Sequence, residues 1–380
     1  MRIKLKDAFE LQIGKTPSRN KSEYWNGVYK WVSISDIGNS RKYVYSTRES
    51  ITDKGIIDSG IKVIPKGTVI MSFKLSIGKT AITTEDMYTN EAIVAFIDKK
   101  KIPIDIDYLY YLCSGSNWMQ GVNKAVMGLT LNKATLSEKE INIPNIEIQK
   151  KCAGNLDKID RIIDLKKQQL DQLDLLVRSL FIEMFGDTIT NDKYWEYREI
   201  SSVTEIILGS TPKTSEPKYW DGNIKWITPA EIGEDSFIIF DSIRHITEEG
   251  VKSIGIKSFP AGTVIFSTRA PIGKTAIAGC NMYCNQGFKN FICNKKLNPV
   301  YLYMLLRINK NFFVELGNGA TFKELSKSTL EKIKISVPDI NIQNEFELYF
   351  NKIDKSKLAV KKSLEELEIL KKSLMQKYFA

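Results

Sequence analysis

Side chains that commonly carry catalysis or bind metals are scarce in this chain, which contains a single histidine, His245. Catalytic triads, histidine-based metal sites and histidine acid–base pairs need more than one lone imidazole can provide. The best zinc ligands would be three cysteines whose spacing fits no standard zinc motif, namely Cys280, Cys284 and Cys293. We therefore expect no metal site, and we interpret His245 as a surface or loop residue.

The string Gly-Lys-Thr begins at Gly14, Gly78 and Gly273 and invites comparison with a phosphate-binding loop. A Walker A loop has another glycine five residues before its Gly-Lys pair, and this glycine is missing each time. The chain also lacks a Gly-rich cofactor fingerprint and the Asn/Asp-Pro-Pro-aromatic string of amino methyltransferases. We expect a non-catalytic chain and keep a nucleotide-using enzyme only as an alternative.

The more informative residues lie in segments that the chain contains twice. Residues 209–233 repeat residues 14–38, with the sequences GSTPKTSEPKYWDGNIKWITPAEIG and GKTPSRNKSEYWNGVYKWVSISDIG. FPAGTVIFSTRAPIGKTAI (259–277) likewise repeats IPKGTVIMSFKLSIGKTAI (64–82), and both pairs are offset by 195 residues. A chain built from two copies of one unit has its function constrained by how the copies are arranged.

Within this fixed frame, a few positions differ in a way that suits DNA recognition. The net charge of +10 and the isoelectric point of about 9.1 make a large anionic partner plausible. Between TVI and IGKT the first copy has MSFKLS and the second has FSTRAP. Lys79 and Lys274 are identical, so we assign them to phosphate. Lys74 is replaced by Arg269, and an arginine there can bind guanine through two hydrogen bonds.

A second variable place is NEAI in the first copy and NQGF in the second. Asn90 and Asn285 match, whereas Glu91 can accept a hydrogen bond from cytosine and Gln286 can pair with adenine. The alternative is that these are ordinary loop substitutions. The complete set of residues that we predict to contact DNA is Lys15, Arg19, Ser72, Lys74, Ser76, Lys79, Asn90, Glu91, Lys213, Thr268, Arg269, Lys274, Asn285, Gln286 and Lys289.

Repeated aromatic residues could also stack on bases, but in a duplex the bases are already stacked on one another. We therefore predict that the aromatic residues of both copies close a domain core: Tyr24, Trp25 and Trp31 in the first copy and Tyr219, Trp220 and Trp226 in the second.

The elements that position these residues are two α+β domains. Runs such as GTVIMSF and EAIVAFI predict strands, and DYLYYLCSG and VYLYMLLRI predict a helix in each copy. We place the first mixed domain at 1–145 and the second at 188–339. Each is followed by a long helical segment, at 146–187 and 340–380.

Each helical segment carries apolar residues at alternating steps of four and three, which is a heptad seam. A helix of ~40 residues is about 60 Å long and cannot bury such a seam alone. We predict that the two helices pair as an antiparallel coiled coil with pseudo-two-fold symmetry, which holds the two domains apart. DNA half-sites about one turn apart suit such a spacer. The alternative is that each helix packs only on its own domain.

The chain is expected to be cytoplasmic. Its five cysteines are an odd number that suits a reducing compartment. Its first residues lack the apolar run of a signal peptide, and no later segment approaches the length and hydropathy of a membrane span.

Over essentially its whole length, the chain resembles the specificity subunit of a type I restriction-modification system. The strings that together carry this resemblance are Gly-x-Thr-Pro…Tyr-Trp-x-Gly…Trp, STRAPIG, NQGF and SLFIEMFGD. The resemblance implies two target-recognition domains that each read half of a split site in double-stranded DNA. It also implies helices that fix the gap, and no catalysis by the chain itself. The implied partners are two DNA adenine methyltransferase subunits that use S-adenosylmethionine, and restriction and translocase subunits that use ATP and magnesium. No cofactor and no membrane is implied for this chain.

The resemblance is uneven, because the first copy has SFKLSIG and NEAI where the second has STRAPIG and NQGF. The first domain is therefore expected to read an unrelated half-site. The second helical segment ends in SLMQKYFA, without the Gly186 and Asp187 that close the first. A coiled-coil scaffold with two protein-binding domains is the alternative function.

Overall fold

The computed structural model describes residues 1–39, 41–74, 76–119, 131–269, 271–317 and 324–379. The chain divides into two units, one formed by Met1–Lys167 with Lys362–Ala380 and the other by Gln168–Lys361. Each unit contains one mixed domain and parts of both long helices. Leu75 and Ala270, which differ between the two copies, lie outside the described residues.

The last element of the first copy is a helix of 40 residues. In chain order they are β1 (Arg2–Lys4), α1 (Leu5–Ala8), β2 (Phe9–Ile13), β3 (Trp25–Val32), α2 (Ile34–Asn39), β4 (Tyr43–Val44), β5 (Glu49–Ile51), α3 (Asp53–Ser59), β6 (Val69–Ser72), β7 (Thr80–Thr83), β8 (Tyr88–Thr89), β9 (Ile93–Asp98), α4 (Ile106–Gly115), α5 (Lys133–Ser137), β10 (Glu140–Asn142) and α6 (Ile146–Phe185).

The second copy repeats this order and also ends in a helix of 40 residues. Its elements are β11 (Glu196–Glu199), α7 (Ile200–Val203), β12 (Thr204–Leu208), β13 (Trp220–Ile227), β14 (Ile238–Ile239), β15 (Arg244–Ile246), α8 (Glu248–Ile254), β16 (Val264–Phe266), β17 (Thr275–Ala278), β18 (Tyr283–Cys284), β19 (Lys289–Cys293), α9 (Pro299–Ile308), α10 (Lys310–Glu315), α11 (Lys327–Lys332), β20 (Lys334–Val337) and α12 (Ile340–Phe379).

The two domains have the same sheet topology within the described residues. A five-stranded sheet has the order β2-β9-β6-β7-β4 in the first domain and β12-β19-β16-β17-β14 in the second. A three-stranded sheet has the order β5-β3-β8 or β15-β13-β18, and a two-stranded pair joins β1 to β10 or β11 to β20. The prediction of two homologous α+β domains is therefore confirmed.

The central strand β6 is apolar at three successive positions, Val69, Ile70 and Met71, because both faces of the large sheet are covered. In β6, Val69 and Met71 face a core that also includes α4 and the start of α6, whereas Ile70 belongs to a second core on the other face. Alternate residues of a strand point to opposite faces, so a continuous apolar run is what two cores require.

Both domains also repeat their helix-capping residues. The hydroxyl of Thr52 accepts from the backbone of α3, and Thr247 does the same for α8. Gly60 and Gly255 end these two helices in the left-handed conformation, at φ of 60° and 63°. A side-chain acceptor at the start and a left-handed glycine at the end are strong local signals for a short helix.

In the first unit, the beginning of α6 lies against the end of α12. Asp160 forms an ion pair with Lys371, and the Asn155 side-chain amide donates to the Tyr378 hydroxyl over 3.3 Å. Higher numbers on α6 thus meet lower numbers on α12, and the pair is antiparallel.

In the second unit, the end of α6 lies against the beginning of α12 with the same polarity. Asp174 forms an ion pair with Lys357, and the rings of Phe181 and Phe346 pack edge to face with centroids 5.3 Å apart. The predicted pairing of the long helices is confirmed.

The heptad interpretation of α6 was incomplete at its C-terminal end. The predicted seam at this end consists of Val177, Leu180 and Met184. Phe181 and Phe185 lie outside it, yet they are the most buried residues there, at 1% and 0% exposure. Both rings contact Tyr301 of α9 as well as Phe346 of α12. Because α6 packs on a domain and a helix at once, its buried face is wider than a coiled-coil seam.

Candidate nucleic-acid interface

Three loops of each domain meet beside the variable residues, and backbone hydrogen bonds join them. In the first domain, the amide of Lys15 donates to Thr89 over 2.9 Å and that of Phe73 donates to Ala92 over 3.0 Å. In the second, Ser210 donates to Cys284 and Thr268 donates to Gly287, each over 2.8 Å. The loop after β2, the β6–β7 loop and the β8–β9 turn therefore form one platform, which the second domain repeats.

The glycine that opens each repeated segment allows the first of these loops to approach the turn. A Cβ atom on Gly14 would lie 2.1 Å from the carbonyl oxygen of Thr89. One on Gly209 would lie 1.8 Å from the carbonyl oxygen of Asn285. No side chain fits at either place, which explains why both copies keep Gly-x-Thr-Pro here.

The β6–β7 loop has the same internal bonds in both copies. In the second, the Ser267 hydroxyl donates to the Pro271 carbonyl over 2.7 Å and accepts from the Lys274 amide over 2.8 Å. In the first, Ser72 makes the matching bonds to Ser76 and Lys79. The loop tip is thus held in one shape while its outward residues differ.

Asn90 and Asn285 fix the β8–β9 turn. The side-chain oxygen of Asn90 accepts from the Ala92 amide over 3.1 Å, and that of Asn285 accepts from the Gly287 amide over 3.0 Å. An asparagine that bonds to the backbone two residues later is a common turn device. The turn therefore explains why both copies have an asparagine at this position.

Three residues of the predicted DNA-contacting set are buried. Ser72 and Thr268 are both 0% exposed, and Lys289 is 6% exposed. The Lys289 ammonium donates to the Thr268 hydroxyl over 3.0 Å. In this conformation their polar atoms serve the domain itself, so the geometry does not support a direct contact with DNA.

Arg269 stands at the edge of the platform and is held by a carboxylate that sequence reasoning missed. Its Nε lies 3.0 Å from Oε2 of Glu324, whose Oε1 lies 3.2 Å from the ammonium of Lys289. The Arg269 side chain is 47% exposed, so it combines a fixed position with access from outside.

The electrostatics of this ion-pair cluster follow from burial and from opposite charge. Burial lowers the pKa of Lys289, and the neighbouring Glu324 only partly offsets that effect. Burial opposes the charge of Glu324 too, but hydrogen bonds from Arg269 and Lys289 lower its pKa overall. Glu324 is therefore ionised at neutral pH and holds both cations.

Arg269 and Gln286 line two adjoining grooves in the second domain. One groove is also lined by Lys274 and Asn285, and the other by Glu324 together with the loop at Gly209. The structure thus brings together four of the residues predicted from the variable strings.

In the first domain, Lys74 and Glu91 occupy the positions of Arg269 and Gln286, and these two residues carry charges of opposite sign. Glu91 accepts a hydrogen bond from the hydroxyl of Thr16, as Gln286 does from Thr211. The Thr16 hydroxyl, together with the nearby cations Lys74 and Arg19, lowers the pKa of Glu91. An ionised acceptor thus stands where the second domain has a neutral amide.

The remaining predicted residues lie on the surface or near it. Lys15 donates to the Ser59 carbonyl over 3.2 Å, and Lys213 is 71% exposed and lies 3.5 Å from Glu216. Ser76 and Lys79 are exposed. The Lys274 ammonium donates to the carbonyl of Pro229 over 2.8 Å, which fixes the charge at one side of its groove.

The repeated tryptophans form the core of the small sheet, as predicted. Trp31 and Trp226 are each 2% exposed, and each packs edge to face against its neighbour, Trp25 or Trp220, with ring centroids 5.1 Å apart. In the second domain a cation that sequence reasoning missed covers the pair, because the Arg244 guanidinium lies 3.6 Å from the Trp220 ring centroid.

The cysteines are not brought together as metal ligands. Among the described residues, no group of three or more histidine, cysteine or acidic side chains is arranged to hold a metal ion. Burial raises the pKa of both Cys284 and Cys293 to about 12. His245 lies near the surface with its Nε2 3.1 Å from Asp241. Across the described helices, none combines the length and apolar character that a membrane span requires.

Comparison with known proteins gives a consistent picture. The family model described as type I restriction modification DNA specificity domain matches residues 1–175 and 192–369. The MjaIX specificity subunit of Methanocaldococcus jannaschii, a type I restriction enzyme subunit, is 35% identical over 190 residues, which are 49% of this chain and 44% of that protein. The putative MjaX specificity subunit of the same organism is 24% identical over 98% of this chain and 90% of its own length.

The fold is also found in a solved structure. A chain from work on the complex assembly and conformational transition of the type I R-M system superposes with a TM-score of 0.69. The match covers 100% of this chain and 97% of that chain at 18% sequence identity. At this identity the likeness shows the fold.

Proposed function

Because the chain belongs to the family of type I restriction-modification DNA specificity proteins, we propose that it reads a split site in double-stranded DNA as a non-catalytic subunit. Each mixed domain contacts one half-site through its three-loop platform. The paired helices α6 and α12 set the length of the gap between the half-sites.

One observation carries this proposal. The two platforms share their backbone bonds, their turn asparagines and their loop serines, while the outward residues differ in charge and shape. Arg269 and Gln286 in the second domain take the places of Lys74 and Glu91 in the first. Two domains that recognise different base sequences need the same backbone arrangement and different side chains at the loop tips. This is because phosphate contacts position a protein, whereas base contacts specify the sequence.

The chemistry of the tips favours different bases in the two half-sites. An arginine side chain can donate to the O6 and N7 atoms of guanine, and a glutamine can pair with adenine. Ionised Glu91 can only accept, which suits the amino group of cytosine. The second domain thus recognises the edges of purine bases, and the first domain recognises an unrelated half-site.

Catalysis and its cofactors belong to partner subunits in this proposal. Two DNA adenine methyltransferase subunits would supply S-adenosylmethionine chemistry, and restriction and translocase subunits would use ATP and magnesium. This chain delivers the site to them and binds none of these cofactors itself. We also propose a cytoplasmic location, where DNA and these partners meet.

Selection from a random-sequence duplex library tests the proposal. The full chain is assembled with its methyltransferase partner, and the bound duplexes are recovered and sequenced. The expected result is one enriched motif of two short halves separated by unspecified bases. A coiled-coil scaffold with protein-binding domains would enrich no motif, and that outcome would overturn the proposal.

A further inference from the structure

The tryptophan pair of each domain lies directly beneath the recognition platform. In the second domain, the Trp226 indole donates to the Ser210 carbonyl over 2.9 Å, and the Trp220 indole donates to the Lys213 carbonyl over 3.3 Å. Between these two acceptors, Thr211 reaches Gln286. A side chain stacked on the pair is therefore close to the loop that contacts a predicted base-reading residue.

A guanidinium covers this pair in both domains, but it comes from a different place in the chain. In the first domain, Arg19 of the loop after β2 lies 4.0 Å from the Trp25 ring centroid and 5.0 Å from that of Trp31. In the second domain, the same loop has Thr214 at the corresponding position, and Arg244 of β15 covers the pair.

The strand position of Arg244 is occupied by a carboxylate in the first domain. Trp226 is paired with Arg244 across β13 and β15, and Trp31 is paired with Glu49 across β3 and β5. Glu49 accepts from both terminal nitrogens of Arg19, one of them over 3.0 Å. The cation of the first domain is therefore neutralised where it stands.

Arg244 has no such carboxylate. Within the described part of the chain, no acidic side chain lies within 4 Å of its guanidinium, and the residue is exposed. The local charge near the tryptophan pair also differs, because Gln286 of the second domain stands where the first domain has ionised Glu91. A polyanion would thus meet an uncompensated cation in one domain and a compensated one in the other.

We propose that Arg244, held over the Trp220–Trp226 pair, binds a phosphate of the DNA backbone in the second half-site, whereas Arg19, which the sequence predicted to contact DNA, is held by Glu49 and makes no equivalent contact in the first. The proposal rests on the proposed function. The rings hold the guanidinium in place while the residue stays exposed, and the planar set of donors in a guanidinium matches the oxygen atoms of a phosphate. Comparison of the two copies does not single out Arg244, because the residue at its position in the first copy, Glu49, has the opposite charge.

The test measures how salt affects binding of the full chain, assembled with its methyltransferase partner, to a duplex that carries the selected motif. Each phosphate contact contributes about 0.9 to the slope of log affinity against log salt. Arg244→Gln should lower that slope by about 0.9, so that wild type loses about 3-fold more affinity than the variant between 50 and 200 mM salt. Arg244→Lys should retain the wild-type slope.

Lys295→Gln is the matched control, because it removes one exposed positive charge that lies just beyond the end of β19 farthest from the platform. It should bind with the wild-type slope. An unchanged slope in Arg244→Gln, in a variant that melts cooperatively like wild type, would overturn the inference and leave the proposed function standing. A wild-type assembly that binds no duplex would instead overturn the proposed function, and this inference with it.

Discussion

Arg269 and Glu324 are joined twice, by a β-bridge between their backbones and by an ion pair in which Nε lies 3.0 Å from Oε2. The bridge brings the two residues side by side, and the carboxylate then restricts the direction of the guanidinium. An arginine that is held before binding loses less conformational entropy when it forms its contacts. This relationship makes Arg269 the residue of the second domain from which base recognition is best tested.

Replacing Arg269 by alanine should relax recognition in one half-site only. Loss of a two-hydrogen-bond contact between arginine and guanine costs about 1–3 kcal/mol of discrimination. Duplexes with each base of the motif varied in turn would show the affected position. Lys74→Ala is the matched variant and should affect the other half-site. Equal losses on every sequence would contradict the assignment.

Glu324 should make the stability of the second domain depend on pH. Its pKa in the folded chain is lowered from 4.5, so its contribution to stability is present above that value and is lost as the pH falls through the lowered value. Wild type should therefore exceed Glu324→Gln in urea midpoint at pH 7, and the difference should shrink below pH 4.5. A difference that is the same at pH 3.5 and pH 7 would refute the ionised cluster.

Lys274 should contribute to binding of all sequences alike. Its ammonium is fixed beside the Pro229 carbonyl and lines the same groove as Arg269. Lys274→Ala should weaken binding to specific and unrelated duplexes by a similar factor and reduce the salt slope by about 0.9. Lys274→Arg, which keeps the charge, is the control. A loss restricted to the selected motif would mean that Lys274 reads a base.

Shortening both helices should change the gap and leave the half-sites unchanged. In the first unit, Asp160 of α6 pairs with Lys371 of α12, and the two helices run antiparallel. This register places residues 164–167 opposite 364–367. Removing both sets shortens the helices by about 6 Å and turns them by about 40°. One base pair turns DNA by about 35°.

The expected outcome of this deletion is a motif with the same halves and a gap that is one or two base pairs shorter, read by selection from the duplex library. Replacing the same eight residues by alanine keeps the length and should keep the gap. A deletion variant that binds the original gap as well as wild type would show that the helices do not set it.

The sequence predicted those features whose signals are local or repeated. The strands, the two long helices and the tryptophan cores follow from periodicity and from comparison of the two copies. The burial of Ser72 and Lys289 does not, because it depends on how the strands and loops of the domain pack together. Glu324 was missed because its importance arises only when the chain brings it to Arg269. Arg244 was missed because its counterpart, Glu49, carries the opposite charge.

The most direct measurement is a genome-wide map of methylated adenine in a host that expresses this chain with the methyltransferase subunit proposed as its partner, compared with the same host lacking the chain. We expect methylation at one split motif that disappears when the chain is removed. The map would also give both half-sites and the gap. Methylation that is unchanged without the chain would contradict a role in DNA recognition.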